Sequence, residues 1–110
     1  MRPGERDRVK AMSLASARAR DRAVALLRTP EASLEQLESV ITQCSAERLA
    51  IEAQLVSVER ELALGGAGVA ELRARRRVLK ADHVDLRELS RRLRARCHAM
   101  RSASERTITT

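Results

Sequence analysis

The sequence predicts an all-α protein, an antiparallel helical hairpin with coiled-coil packing and an additional N-terminal helix or basic arm. Three observations predict it. Residues 31–64 place apolar side chains at alternating three- and four-residue spacing, residues 69–102 place five apolar side chains seven apart, and a glycine-rich break separates the two. Alternating three and four is the spacing at which helical side chains return to one face, so each stretch describes a helix with a single apolar seam.

The first arm begins after Thr29-Pro30, where Thr29 can act as N-cap and Pro30 as the first helical residue. Its seam runs through Leu34, Leu37, Ile41, Cys44, Ile51, Leu55, Val58 and Leu62, interrupted only by Arg48. Gly65-Gly66-Ala67-Gly68 then breaks the periodicity. The second arm has one strong stripe, Leu72, Leu79, Leu86, Leu93 and Met100, and a mixed one of Val69, Arg76, His83, Ser90 and Cys97.

A short loop between helices of similar length implies antiparallel neighbours. One register places Leu62 by Leu72, Leu55 by Leu79, Ile41 by Leu93 and Leu34 by Met100, with Cys44 opposite Ser90 and Leu37 opposite Cys97. Arg48 then faces Leu86, with Asp82 and Asp85 as expected carboxylate partners. The charges agree with this pairing. Residues 31–64 hold seven Glu against two Arg, net −5, and residues 67–101 hold eleven basic against four acidic residues, net +7.

Upstream, residues 1–28 form a basic Ala/Arg-rich segment in which Val9, Met12, Ser16, Ala19, Ala23 and Leu26 keep the same spacing. It is Arg-rich in the manner of a transit peptide, but Glu5, Asp7 and Asp21 oppose that reading. Residues 29–102 make up the hairpin, and residues 103–110 are expected to form a flexible tail.

Composition narrows the function classes. The chain has 110 residues, 34% charged, with no Phe, Tyr or Trp. A core must therefore come from aliphatic side chains, and no aromatic platform exists on which to stack unpaired bases. No nucleophile elbow, phosphate loop or zinc-protease motif occurs, and a two-layer coil offers no concave pocket. The expectation is a protein that is not an enzyme, takes no cofactor and has no small-molecule substrate. Cys44, His83, Cys97 and His98 are the only soft ligands, and they are too dispersed for a tetrahedral metal site. Two cysteines a heptad apart along the hairpin form no disulfide framework, which points to a reducing, intracellular compartment. No apolar run is long enough to span a membrane, and the basic helix lacks Trp or Phe anchors for a membrane surface.

Two partner classes remain. The first is a helical protein, in a hetero-oligomer or a homodimer. Leu49, Val56, Val78 and Leu89 lie off the hairpin seam, and a third helix, from residues 5–28 or from another chain, must cover part of it. The second is nucleic acid, bound without sequence preference through two basic clusters, Arg73, Arg75, Arg76 and Arg77, and Arg91, Arg92, Arg94 and Arg96, with Lys80 and Arg87 between them.

Residues 62–106 resemble the small coiled-coil subunit of the mating-type-switching recombination-mediator family. That family carries a helical block His-Ile-x-Leu-Leu-His-x-Tyr-Asn-Glu-Ile-Lys-Asp. Here Arg76 to Glu88 reads RRVLKADHVDLRE: Leu79 matches the first leucine, and Asp85, Leu86, Arg87 and Glu88 match the closing four in character. Both histidines, the tyrosine and the asparagine of the block are missing, and Arg77 stands where the family has an apolar residue. The resemblance implies an accessory subunit in homologous recombination and DNA repair, in complex with a longer coiled-coil partner, and a nuclear location. Without it, the expectation is a cytoplasmic one. Small helical-hairpin co-chaperones and stalk components of bacterial secretion systems are similar in architecture.

Overall fold

A computed structural model describes the backbone of residues 3–109 and the side chains of residues 14–106. It contains three helices, α1 (Pro3–Leu27), α2 (Leu34–Leu64) and α3 (Val69–Thr109), and no strand among the described residues. They lie side by side in a rod of 66 × 22 × 17 Å. The protein is thus all-α, a helical hairpin of α2 and α3 with α1 as an additional N-terminal helix.

The chain enters α2 through a capping box at Ser33. The Ser33 hydroxyl accepts from the Gln36 backbone N–H at 3.1 Å, and the Gln36 side chain accepts from the Ser33 N–H at 2.9 Å. This places the cap four residues beyond the expected Thr29. Reciprocal capping needs a side chain at the third helical position that reaches back. Gln36 provides one; Ala32, in the same position relative to Thr29, cannot. Thr29 instead closes α1, its hydroxyl donating to the Ala25 carbonyl at 2.8 Å. At the other end of α2, Gly65 adopts the left-handed conformation (φ 67°) and its N–H donates to the Leu62 carbonyl at 3.2 Å. Glycine takes this conformation without the Cβ penalty of other residues.

The hairpin pairing is visible in polar contacts. Arg76 meets Glu59 at 3.3 Å, His83 meets Glu52 at 2.9 Å, and the Ser90 side chain lies beside Cys44. Within α2 the two seam rows differ. Leu37, Cys44, Ile51 and Val58 are fully enclosed, whereas Leu34, Ile41, Arg48, Leu55 and Leu62 are half-buried. On α3, Leu79, Leu86 and Leu93 are enclosed, and Leu72 and Met100, at the two ends, are half-buried.

Helix α1 explains the asymmetry, because it packs along one flank of the hairpin. Among its described side chains Ser16, Ala19 and Ala23 are buried, and the Ala19 carbonyl lies 4.0 Å from the Cys44 sulfur. Alanines permit this close approach. The side chains of Val9 and Met12, part of the expected repeat, lie outside the described residues. Two positions missed or misplaced by the heptad reading belong to this contact: Val40 is fully buried beside the seam, and Leu89 is buried next to Arg20 and Val24 of α1.

Two further expectations are corrected. Arg48 does not hold Asp82 and Asp85. Arg20 of α1 does, at 3.3 and 3.6 Å, leaving the Arg48 Nε buried with no hydrogen-bond partner. Residues 103–109 are not a loose tail but the last turns of α3. No glycine or proline interrupts them, and the Arg106 side chain reaches back to the Ser102 carbonyl. Thr110 lies outside the described residues.

Two consequences can be measured by chemical denaturation. Ala19→Leu overfills the α1 contact and is expected to cost about 1–3 kcal/mol, while exposed Arg18→Ala stays within about 0.5 kcal/mol. Arg48→Leu removes a polar group that lacks a partner and is expected to stabilise the fold by roughly 1–3 kcal/mol.

Candidate interaction surface

Helix α3 has to satisfy α2 and α1 at once, which assigns its residues by direction. Asp82, Asp85 and Leu89 face α1. Arg96 also turns that way and donates to the Leu26 and Thr29 carbonyls, capping the end of α1. At 100° per residue, the opposite side carries Arg73, Lys80, Arg87, Arg94 and Arg101, each seven residues from the next. A heptad step drifts by only about 20°, so these five cations form one nearly straight ridge.

The eight arginines expected to contact nucleic acid separate on this basis. Arg96 is structural. Arg76 is engaged by Glu59. Arg91 and Arg92 share Glu88, at 2.7 and 3.2 Å. Arg75 is half-buried, its Nε without a partner. That leaves Arg73, Arg77 and Arg94, which are exposed, as are Lys80 and Arg87, and none of the five pairs with a described carboxylate. Lys80 and Arg87 fall outside the two dense clusters; their seven-residue spacing is the signal that finds them.

The α2 side of the same open flank is acidic and partly apolar. Glu38, Glu52 and Glu59 reach across the seam to Arg101, His83 and Arg76, and all three carboxylates remain about half exposed. Beside them Leu49 is 66% and Val56 59% exposed, and Val84 on α3 is 50% exposed. A shallow groove of about 570 Å³ lies between the helices, lined by Glu38, Ile41, Thr42, Arg94, Cys97 and Arg101. Val78, also exposed, sits on the α1 side of α3.

Of the seam residues expected to meet a partner, Leu37, Ile51, Val58, Leu79, Leu86 and Leu93 are enclosed within the chain's own bundle. Leu34, Ile41, Leu55, Leu62, Leu72 and Met100 are half-buried along its edges.

The ionisable groups follow from these positions. The Glu88 carboxyl, bonded to Arg91 and then Arg92, is held at about 2, and Arg91 is correspondingly raised. Burial pushes both cysteine thiols above their ordinary range; at Cys44 the Ser90 hydrogen bond partly opposes it, and at Cys97 the Arg101 charge does. Both thiols are free, and no group of three or more His, Cys, Asp or Glu able to hold a metal ion occurs among the described residues. No described helix is long and apolar enough to cross a membrane.

No known protein family, curated protein or solved structure matches the chain.

The thiols are expected to react with a disulfide reagent only at the rate at which the bundle opens, and immediately in denaturant. The Glu88 shift has a definite sign. A depressed carboxyl favours the folded state above its unfolded pKa and loses that contribution as pH falls from about 4.5 towards 2. Carboxyl-carbon NMR is expected to show Glu88 titrating with a midpoint of about 2, with the shift shrinking in high salt because the group is exposed.

Proposed function

We propose that this protein is a non-enzymatic helical adaptor whose α3 ridge docks an acidic helix of a protein partner. The supporting observation is the spacing of the ridge. Arg73, Lys80, Arg87 and Arg94 stand about 10.5 Å apart along the helix and meet no carboxylate among the described residues. A partner helix with a heptad repeat presents its carboxylates at the same interval, so one straight helix can address every cation of the ridge. Exposed ion pairs contribute only about 0.2–1 kcal/mol each. The ridge therefore sets orientation and association rate, and the apolar contacts of Leu49, Val56 and Val84 supply the remainder.

A second reading has its own support. The same unpaired cations suit phosphates, and the lack of aromatic residues directs such binding to a duplex backbone rather than to unstacked bases. An accessory role in recombination, which the likeness of residues 62–106 to the mediator subunit suggests, is compatible with either partner.

One titration series separates them. The protein is mixed with a synthetic acidic heptad peptide and, separately, with a short DNA duplex, over a range of salt. The adaptor reading predicts peptide binding that weakens at least about tenfold when Arg73, Lys80, Arg87 and Arg94 are replaced by Glu. Preferential duplex binding with a log–log salt slope of about −3 to −4, matching four phosphate contacts, overturns it in favour of nucleic acid.

A further inference from the structure

The open flank is divided lengthwise into two unlike halves. The α2 half is acidic, with Glu38, Glu52 and Glu59 beside exposed Leu49 and Val56. The α3 half is the cationic ridge beside exposed Val84. Both halves face away from α1, which occupies the opposite flank. A face with one acidic and one basic half, each with its own apolar side chains, is complementary to itself.

We infer that the acidic helix docked by the ridge is α2 of a second copy of this chain, in a two-fold dimer whose axis runs parallel to the helices beneath the open flank. The inference rests on the adaptor reading of the ridge and names its partner.

The charges select that axis. Two stacked hairpins can be related by an axis along the helices or by one across them. The axis across them sets α2 on α2 and α3 on α3, acid against acid and base against base, an arrangement that like charges oppose. The axis along the helices sets α2 of each copy under α3 of the other, antiparallel, so both contacts join opposite charges. The interface is then isologous and closes at two chains.

The heights also agree. Rotation about an axis parallel to the helices leaves every residue at its own level. Within one chain Glu52 is level with His83 and Glu59 with Arg76. The second copy's Leu49 therefore arrives beside Val84 and Arg87, and its Val56 arrives between Arg77 and Lys80. The two apolar patches meet at the centre, and charged residues surround them, which is the usual layout of a specific interface. Glu52 and Glu59 are half exposed while each meets one side chain of α3, His83 and Arg76, so each can also accept a cation from the ridge. The flank is large enough: α2 spans about 46 Å and the rod is 22 Å across, roughly 1,000 Å², against the ~800 Å² per partner of a standard interface.

Light scattering of the intact protein at high micromolar concentration and low ionic strength tests the pairing, with disulfide trapping to test the axis. A dimer is expected, and Leu49→Glu is expected to convert it to a folded monomer, with helicity retained by circular dichroism because Leu49 is exposed. Chains carrying Leu49→Cys and chains carrying Val84→Cys are expected to crosslink when mixed, and neither alone; the buried native thiols stay unreactive. A Leu49→Cys sample that crosslinks to itself overturns the axis, and a dimer unaffected by Leu49→Glu overturns the surface. A monomer that nevertheless binds the acidic heptad peptide overturns self-pairing and leaves the adaptor reading intact. A monomer that binds no such peptide overturns both.

Discussion

The register of α2 against α3 is the constraint from which the rest of this structure follows. It is set by enclosed aliphatic layers, in which Leu37, Ile51 and Val58 of α2 pack with Leu79, Leu86 and Leu93 of α3, and by the left-handed Gly65 that reverses the chain. A shift of one residue would rotate each contact by 100° and carry the leucines out of the seam. With the register held, Glu59, Glu52 and Glu38 fall opposite Arg76, His83 and Arg101, and the cationic heptad row of α3 is directed away from the core. The proposed interaction surface is thus a by-product of core packing: residues adjacent to a seam in a heptad inherit its straightness.

Helix α1 has the second decisive role, because it makes the two flanks of the hairpin different. Its described buried positions hold only alanines and a serine, with Val24, Leu26 and Leu27 packed at the edge of the core, and it claims Asp82 and Asp85 through Arg20 and Arg96 through the carbonyls at its end. By doing so it engages both carboxylates and one arginine, and leaves the ridge on the far side without a carboxylate partner among the described residues. The asymmetric burial of the two α2 rows records the same event.

Much of this was legible in the sequence, and the failures share a cause. The two long helices, the Gly65 break, the approximate register and the polar layer at Arg48 all follow from local periodicity and charge, which report on pairs of adjacent elements. Whatever depended on α1 was not legible. Val40 and Leu89 sit one position away from the heptad stripe and are buried on the side where α1 packs, with Arg22 at Ser39 and Gln43 and with Arg20 and Val24 beside Leu89. Asp82 and Asp85 look like partners for Arg48 until Arg20 is placed nearer. The dense arginine clusters drew attention because they are conspicuous in one dimension. The helix disperses them, with Arg96 turning to α1, Arg91 and Arg92 to Glu88, and only Arg73, Arg77 and Arg94 joining the sparser Lys80 and Arg87 on the open face. The cap at Ser33 was missed for a local reason: Thr29-Pro30 is a good start signal, but Gln36 completes a better one downstream.

The central claim is that one face of α3, and not its total charge, is the working surface. Arginine side-chain NMR reports on each guanidinium separately and tests this most directly. On addition of the acidic heptad peptide, or on self-association across a concentration series, the account predicts shifts at Arg73, Arg87 and Arg94 while Arg20, held by Asp82 and Asp85, and Arg96, held at the end of α1, stay in place. Shifts spread evenly over exposed and α1-facing arginines alike, or none at the ridge, would contradict it.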